Sequence, residues 1–364
     1  MEKDGFQISV INSVSDWEGL SKQWNELLAK SNSDTIFLSW EWLFSWAECY
    51  LNENRKLFVL AVYDDGELIG IAPWYINHVH GKLFTLKQIE FLGAPDAGSD
   101  YLDVFIKKGK EKEITTTMYN FLLNDAASYW DCLKLNDIPA NSQFLLHFLN
   151  KIEDSGKYAE ISYSSFCPNI ALPKTTEDFM SGLSSNRREQ FRRHWKVLKK
   201  DSNVNHQSYL SEDIEKGLKE FLNFYKEKSG YWNEQFDSFV QKFAFRSKDK
   251  GSIQIDFLSA NGNNMTGLLH LRYQNTLLMY LMAVDKAFNP KISIGNILVG
   301  LCINKAIDDG FSNYDFLKGT EYYKFHWTNS GKSSVNIIFY QKKIVSILHA
   351  IKKFITYTAK IILR

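Results

Sequence analysis

The stretch Tyr280–Asn329, YLMAVDKAFNPKISIGNILVGLCINKAIDDGFSNYDFLKGTEYYKFHWTN, is the one on which the fold turns. The apolar run 277–284 predicts a strand, and a polar, proline-containing loop follows it. That loop opens directly into an amphipathic helix over about 294–309, after which 314–317 predicts a second, short strand. A cluster of ionisable and aromatic residues closes the stretch: Lys318, Glu321, Tyr322, Tyr323, Lys324, His326 and Trp327. A strand that delivers a loop to a helix N-terminus leaves main-chain N–H groups without helical partners at the positive end of the helix dipole. Such a site suits an anion, most often a phosphate. Ser293, Ile294, Gly295 and Asn296 are the candidate amide donors, with Lys291 beside them as a source of charge.

Working outward, the residues before this stretch predict a basic helix over 184–200, a strand over 203–209 and helices over 211–228 and 233–247. A hairpin joins 253–259 to 265–273 through Asn261-Gly262-Asn263-Asn264. The first half predicts a strand at 7–11, then a helix over 15–29 with Trp17, Leu20, Trp24, Leu27 and Leu28 at helical spacing. A second helix, 38–51, is rich in tryptophan. Next comes the clearest hairpin, 56–63 and 67–76 across Asp64-Asp65-Gly66. Strands follow at 83–92, 101–106, 131–136 and 158–163, with helices over 111–127 and 139–153. Both halves therefore run helices, hairpin, strand, helix, strand, an order shared without visible sequence repetition. The expectation is an α+β chain of two domains, 1–165 and 166–340, each a mixed sheet flanked by helices. Their join falls near 164–174, where Cys167-Pro168 and Leu172-Pro173 interrupt the pattern.

The segment 341–364 differs from the rest. It carries Lys342, Lys343, Lys352, Lys353, Lys360 and Arg364 with no acid, and its isoleucines and leucines fall largely on one side of a helix. Such a helix either packs on the second domain or lies on an anionic membrane surface. At 364 residues, two cores are expected, and 45% hydrophobic with 15% aromatic residues is ample to fill them. Charge is nearly balanced, 43 basic against 42 acidic residues, which argues against whole-surface attraction to nucleic acid. The four cysteines are scattered without ligand spacing, so buried free thiols are expected rather than a metal site or disulfides. No leader-like N-terminus and no run of about 20 apolar residues is evident, which points to a cytoplasmic protein.

Several motifs resemble the CelD/BcsL-like branch of the GNAT acyltransferases, found among bacterial exopolysaccharide and cellulose gene sets. They are Ser185-Asn186-Arg187-Arg188 through Phe191-Arg192-Arg193, the Asp285, Asn289-Pro290, Gly295 loop, and Asp315-Phe316-Leu317-Lys318-Gly319 with Glu321-Tyr322-Tyr323-Lys324 and Trp327-Thr328. In the first half, Gly70-Ile71-Ala72-Pro73, Phe91-Leu92-Gly93 and Asp100-Tyr101 are similar to that family's N-terminal pattern. The resemblance spans most of 35–330 and implies two tandem GNAT-like domains, as in the FemABX peptidyl transferases, with acyl-CoA as co-substrate and no metal. One departure stands out: the family's pyrophosphate loop has Gln or Arg and a final Gly or Ala where this chain has Ile292 and Ile297.

Acyl transfer to an amine needs a base, a donor toward the carbonyl oxygen and a proton for the leaving thiolate. Glu321 is the candidate base and Tyr323 or Tyr322 the acid. Lys318, Lys324 or a backbone N–H would hold developing charge or a substrate anion, and Trp327 completes the cluster. Asp285 either orients a substrate or caps its turn. Tyr280 lies mid-strand, half-buried in the structural reading and with its hydroxyl toward the substrate in the functional one, and Arg187 and Arg192 lie on the basic helix face that suits phosphate or carboxylate. His270 reads as a structural histidine. In the first half Trp40, Trp42, Trp46, Trp74 and Tyr75 serve either a sugar-stacking wall or the core, and Asp96, Ser99 and Asp100 are substrate-cleft candidates. Three functions follow: a CoA-dependent N-acyltransferase for an amino sugar or similar amine in envelope or exopolysaccharide assembly, an aminoacyl-tRNA-dependent transferase, and a non-catalytic scaffold.

Overall fold

The structure, a computed structural model, describes residues 5–81, 85–201, 203–230, 233–288 and 292–341. The chain forms two units: one holds the residues up to Ser164 and those from Ser334 on, the other Ser165–Ser333. In chain order the elements begin with β1 (Gln7–Ile11), α1 (Val14–Glu18), α2 (Ser21–Ala29), α3 (Trp40–Tyr50), β2 (Arg55–Asp64), β3 (Glu67–His80) and β4 (Thr85–Phe91). They continue with β5 (Phe105–Ile106), α4 (Glu111–Leu123), β6 (Cys132–Pro139), α5 (Gln143–Asp154) and β7 (Ala159–Ala171). The later elements are α6 (Thr176–Gly182), α7 (Ser185–Asp201), β8 (Val204–Tyr209), α8 (Ile214–Ser229) and α9 (Glu234–Arg246). Then come β9 (Ile253–Ala260), β10 (Asn263–Tyr273), β11 (Thr276–Val284), α10 (Ile294–Asp308), β12 (Asn313–Asp315) and β13 (Gly331–Tyr340). The architecture is mixed α+β, as the hydrophobic patterning predicts.

Each unit builds a sheet of the same topology. In the first the strand order is β1-β2-β3-β4-β6-β13, antiparallel except for the parallel pair β4–β6. In the second it is β8-β9-β10-β11-β12-β7, antiparallel except for β11–β12. The shared order read from the sequence is thus a structural repeat. The closing strands are exchanged: Asn169–Ala171 of β7 pairs with β12, whereas Ser334–Tyr340 of β13 pairs with β6. The sequence division at 165/166 and 340/341 leaves out this exchange, because β13 follows a stretch without a strand signal. The helix expected over 341–364 lies, beyond Gln341, outside the described residues.

In the first unit the helix expected over 15–29 is broken at Gly19–Leu20, where a glycine weakens the helix. Trp17 and Trp24 still both reach the core, their rings 5.2 Å apart. Trp40, Trp42, Trp46, Trp74 and Tyr75 are buried, so this aromatic set is core and not a stacking wall. Ser39 and Ser142 cap α3 and α5 by accepting from Trp42 N and Leu145 N.

In the second unit, α10 lies on one face of the sheet with α6 and α7. Ile297, Leu298 and Ile303 pack there with Leu258, Leu268, Met279, Phe179, Phe191 and Leu198. Helix α8 covers the other face, where Phe221 and Phe224 meet Phe257. Gly300 permits the close approach of α10: a Cβ there would collide with Phe191 and lie 2.7 Å from Trp327.

Candidate functional site

Strand β11 pairs with β12 only through Thr276, Leu277 and Leu278, so beyond Leu278 that edge has no strand partner among the described residues. Its other edge pairs with β10, and the register slips between Leu269 and His270, leaving Tyr280 as an extra residue between Met279 and Leu281. Such a bulge re-aims backbone and side chain, and bulges recur beside active sites. The Tyr280 ring faces Phe236 of α9, with centroids 6.3 Å apart.

From β11 the chain turns at Asp285 and reaches α10 at Ser293. Asp285 accepts from Ala287 N at 3.0 Å and pairs with Lys228 Nζ at 3.0 Å, and this lysine holds its carboxyl below the ordinary range. Those contacts make Asp285 a turn-builder. Lys291, with Asn289 and Pro290, lies outside the described residues. Ser293 is the N-cap of α10 without a side-chain cap bond, and its carbonyl accepts from Ile297 N at 3.1 Å. The Gly295 and Asn296 amides thus fall among the first-turn N–H groups that a helix cannot satisfy internally. Gly295 packs directly on β11, where a Cβ would stand 3.3 Å from Val284 and 3.4 Å from Met282. Ile294 is buried and its N–H already donates to the Ile292 carbonyl at 3.0 Å, so it offers neither side chain nor free amide. The first turn of α10 carries no acid. Its counterpart in the first unit, α4, begins with Glu111 and Glu113, which would repel an anion. The helix start that suits an anion, as expected from the sequence, is therefore that of α10.

Past β12 the chain makes a tight loop with left-handed Leu317, at φ 56°, and Gly319, at φ 123°. Leu317 N donates to Asp315 Oδ1 at 2.8 Å, and Gly319 N to the Phe166 carbonyl at 3.0 Å. The Glu321 carboxylate lies directly over Gly319, whose φ of 123° is a conformation that residues with a side chain rarely adopt. Lys324 is 3% exposed. Its ammonium donates to the carbonyls of Lys318 at 2.6 Å and Leu317 at 3.3 Å, and lies 3.0 Å from Glu321 Oε2. Lys324 is thus a staple inside the loop, and its charge is committed to holding Glu321 and the backbone. Glu321 keeps 54% of its side chain exposed, which suits a base that must meet an amine. Tyr323 is half-buried, and burial together with the Glu321 charge raises its pKa, so the phenol stays protonated at neutral pH. Tyr322 is 89% exposed. Lys318 is half-buried beside them.

Trp327 corrects an expectation. Its indole is buried, 6.2 Å from Phe179 and 5.7 Å from Phe191, and faces the core instead of a ligand. On α7, Arg187 is half-buried near His326, whose imidazole is pushed below its ordinary pKa by burial and then by the Arg187 charge. Arg188 donates to the carbonyls of Met180 and Ser181 at the end of α6, whereas Arg192 is exposed. In the first unit Asp96 pairs with Arg55 at 2.6 Å and Ser99 receives the Trp42 indole N–H at 2.8 Å. Asp100 is 1% exposed, which removes it from any surface cleft.

Sequence reading missed one group. Asp256 on β9 is fully buried. Its Oδ1 takes contacts from His206 Nε2 at 3.2 Å and from the Ser208 hydroxyl, and its Oδ2 from Gln254 Nε2 at 2.9 Å and His270 Nδ1 at 3.2 Å. His270 Nε2 lies 2.9 Å from the Tyr314 hydroxyl. Burial alone would raise the Asp256 carboxyl. The His206, His270 and Ser208 contacts reverse this and hold it below the ordinary range. The available signal was polar residues at alternate positions, 206 and 208 on one strand and 254 and 256 on its neighbour, all on the α10 face.

Residues 185–325 match the family model of the acetyltransferase (GNAT) domain, a span running from α7 through the Glu321 loop. No curated protein matches the sequence. Among solved structures the chain is similar to FemX, at TM-score 0.60 and 11% identity, over 94% of this chain and 99% of that one. It is also similar to the C-terminal domain of a candidate lysylphosphatidylglycerol synthetase from Agrobacterium fabrum, at TM-score 0.53 and 9% identity, over 94% and 97% of the two chains. A third relative is L-PGS from Bacillus licheniformis, at TM-score 0.53 and 8% identity, over 90% and 94%. At these identities the likeness establishes the fold.

Proposed function

We propose that the second unit moves an acyl group from a coenzyme A thioester to an amine. The observation that carries this reading is the acetyltransferase-domain match over 185–325, within which β11 delivers the chain to the free first-turn amides of α10. The Gly295 and Asn296 N–H groups would receive the donor's diphosphate. Beyond Leu278, where β12 no longer pairs with β11, the thioester oxygen would lie along that strand as charge develops on it. Glu321, directly or through a water, would take the proton the amine loses as its nitrogen bonds to the carbonyl carbon. The C–S bond then breaks, and the Tyr323 phenol would protonate the departing thiolate. The acceptor in this reading is an amino sugar or similar amine of envelope or exopolysaccharide assembly, as in the CelD/BcsL-like branch. The acid-free segment 341–364 would hold the enzyme at an anionic membrane face. No helix among the described residues is long and apolar enough to cross a membrane.

Thermal melts with a panel of acyl-CoA chain lengths test the donor. The expected result is a rise in Tm for at least one chain length that is absent when Gly295 is replaced by Val. No shift at saturating donor across the panel overturns the proposal. A second reading, aminoacyl transfer from tRNA, draws on the exposed Arg192, Arg193, Lys196, Lys199 and Lys200 of α7 and on the lysylphosphatidylglycerol synthetase likeness. Steeply salt-dependent tRNA binding without any acyl-CoA response selects it. Unchanged biological activity of Glu321→Gln and Tyr323→Phe selects a scaffold instead.

A further inference from the structure

The Asp256 cluster poses a problem of charge. A carboxylate with no exposure is costly unless a cation or a full set of donors compensates it, and among the described residues no lysine or arginine pairs with Asp256. The donors around it are also incomplete. His270 Nδ1 is buried and approaches Asp256 Oδ2 at 3.2 Å without the alignment of a proper hydrogen bond, and Gln254 Oε1 is buried without a partner. Cys302 of α10 reaches the same carboxylate from the helix side. His206, Asp256 and Cys302 each present a ligand atom, and these atoms lie within 4.8 Å of one another. Tetrahedral zinc, with bonds of about 2.0–2.3 Å, holds its ligand atoms roughly 3.3–3.6 Å apart, so a shift within rotamer range closes the site.

We propose that His206, Asp256 and Cys302 form a binding site for a divalent transition ion, zinc by the chemistry of its nitrogen, oxygen and sulfur donors. The ion supplies the positive charge that the buried carboxylate lacks. Entry runs past His206, the one ligand with exposure, at 22% of its side chain. Binding releases the Cys302 thiol proton to solvent, and the thiolate then bonds the metal. Its three ligands come from β8, β9 and α10, and the ion would therefore fasten to the sheet the helix whose N-terminus forms the anion site. This inference does not depend on the acyl-transfer reading.

The test uses the full chain, stripped with a chelator and titrated with zinc alone and with cobalt. Expected are one zinc per chain by elemental analysis, a higher Tm, and a thiolate-to-cobalt charge-transfer absorption. Cys302→Ser and His206→Gln, which keep side chains of similar size, should each weaken zinc binding by more than about 100-fold. That exceeds the 10–100-fold typical of losing an outer-shell partner. The cobalt absorption should vanish in Cys302→Ser while its far-UV circular dichroism matches the wild type. Failure of the wild type to take up zinc overturns the site. Wild-type affinity in either variant also overturns it, since the ion would then sit elsewhere.

Discussion

Replacing Lys324 by Met keeps an apolar stem of similar length and removes the ammonium. Three contacts disappear: the Lys318 carbonyl at 2.6 Å, the Leu317 carbonyl at 3.3 Å and Glu321 Oε2 at 3.0 Å. A hydrogen bond to a charged group contributes about 1.5–3 kcal/mol, and the longer contact belongs at the bottom of that range. The Glu321 arm is more than half exposed and adds no more than about 0.5–1 kcal/mol. Part of the total is recovered because an ammonium no longer has to be buried. The net loss is about 3 kcal/mol, or roughly 6–12 °C in Tm for a unit of this size. Urea and thermal unfolding measure it. Acyl transfer should fall as well, through a lower kcat with an almost unchanged donor Kd, because Glu321 loses its anchor while the α10 amides are untouched. A Lys324→Met protein within about 0.5 kcal/mol of wild type, but with a weakened Kd for an anionic ligand, refutes the staple and returns Lys324 to direct ligand binding.

Gly319→Ala forces a Cβ into the Glu321 carboxylate at a φ of 123°, so activity should drop at least about tenfold while stability falls by roughly 1–3 kcal/mol. Steady-state kinetics beside urea melts separate the two effects, and unaltered kcat counts against Glu321 as the base. Arg188→Ala removes the guanidinium from the α6 carbonyls and should cost about 1 kcal/mol, whereas Arg192→Ala should leave the melt unchanged within about 0.5 kcal/mol. Equal melts for the two variants would remove the capping role. In the first unit Asp103 is buried, with its carboxyl pushed up to about 7 by burial despite hydrogen bonds from Ser33, Ser142 and Val104 N. Between pH 4 and 7 the folded state therefore binds the proton that the unfolded chain has lost, and stability should decline with rising pH by a few kcal/mol before levelling off. Urea melts at pH 4.5 and pH 8 should show that decline in the wild type and a smaller one in Asp103→Asn. Equal declines would refute the assignment.

Much of this molecule is legible from local pattern. The Asp64-Asp65-Gly66 and Asn261-Gly262 hairpins, the strand at 276–284 and the start of α10 fall where turn chemistry and periodicity put them. What local pattern cannot carry is pairing between distant strands. The exchange of β7 and β13 depends on contacts such as Val335 with Ile138, nearly two hundred residues apart, and no turn signal encodes it. Burial was misjudged for the same reason. Lys324 and Trp327 read as ligand-facing because ionisable and aromatic residues crowd there, yet the loop folds back on α10 and closes over both. Asp256 escaped notice because one acid in an apolar strand has no meaning until His206, His270 and Cys302 come in from three other elements.

The two units share a topology but differ in the charge carried at the corresponding helix start. In each, a strand of the parallel pair is followed by a helix, β4 by α4 and β11 by α10. In the second unit few residues separate β11 from α10, and the helix starts without acid beside a strand that pairs with β12 only as far as Leu278. In the first, the chain makes a long excursion through β5 before α4, and that helix opens with Glu111 and Glu113. Helix-end charge is worth about 0.3–1 kcal/mol for each favourable partner, so two acids there turn a modest attraction for phosphate into repulsion. If Glu111→Gln and Glu113→Gln together gave the first unit measurable donor binding, the fold would have retained a second site, and the division of labour would rest on those two side chains.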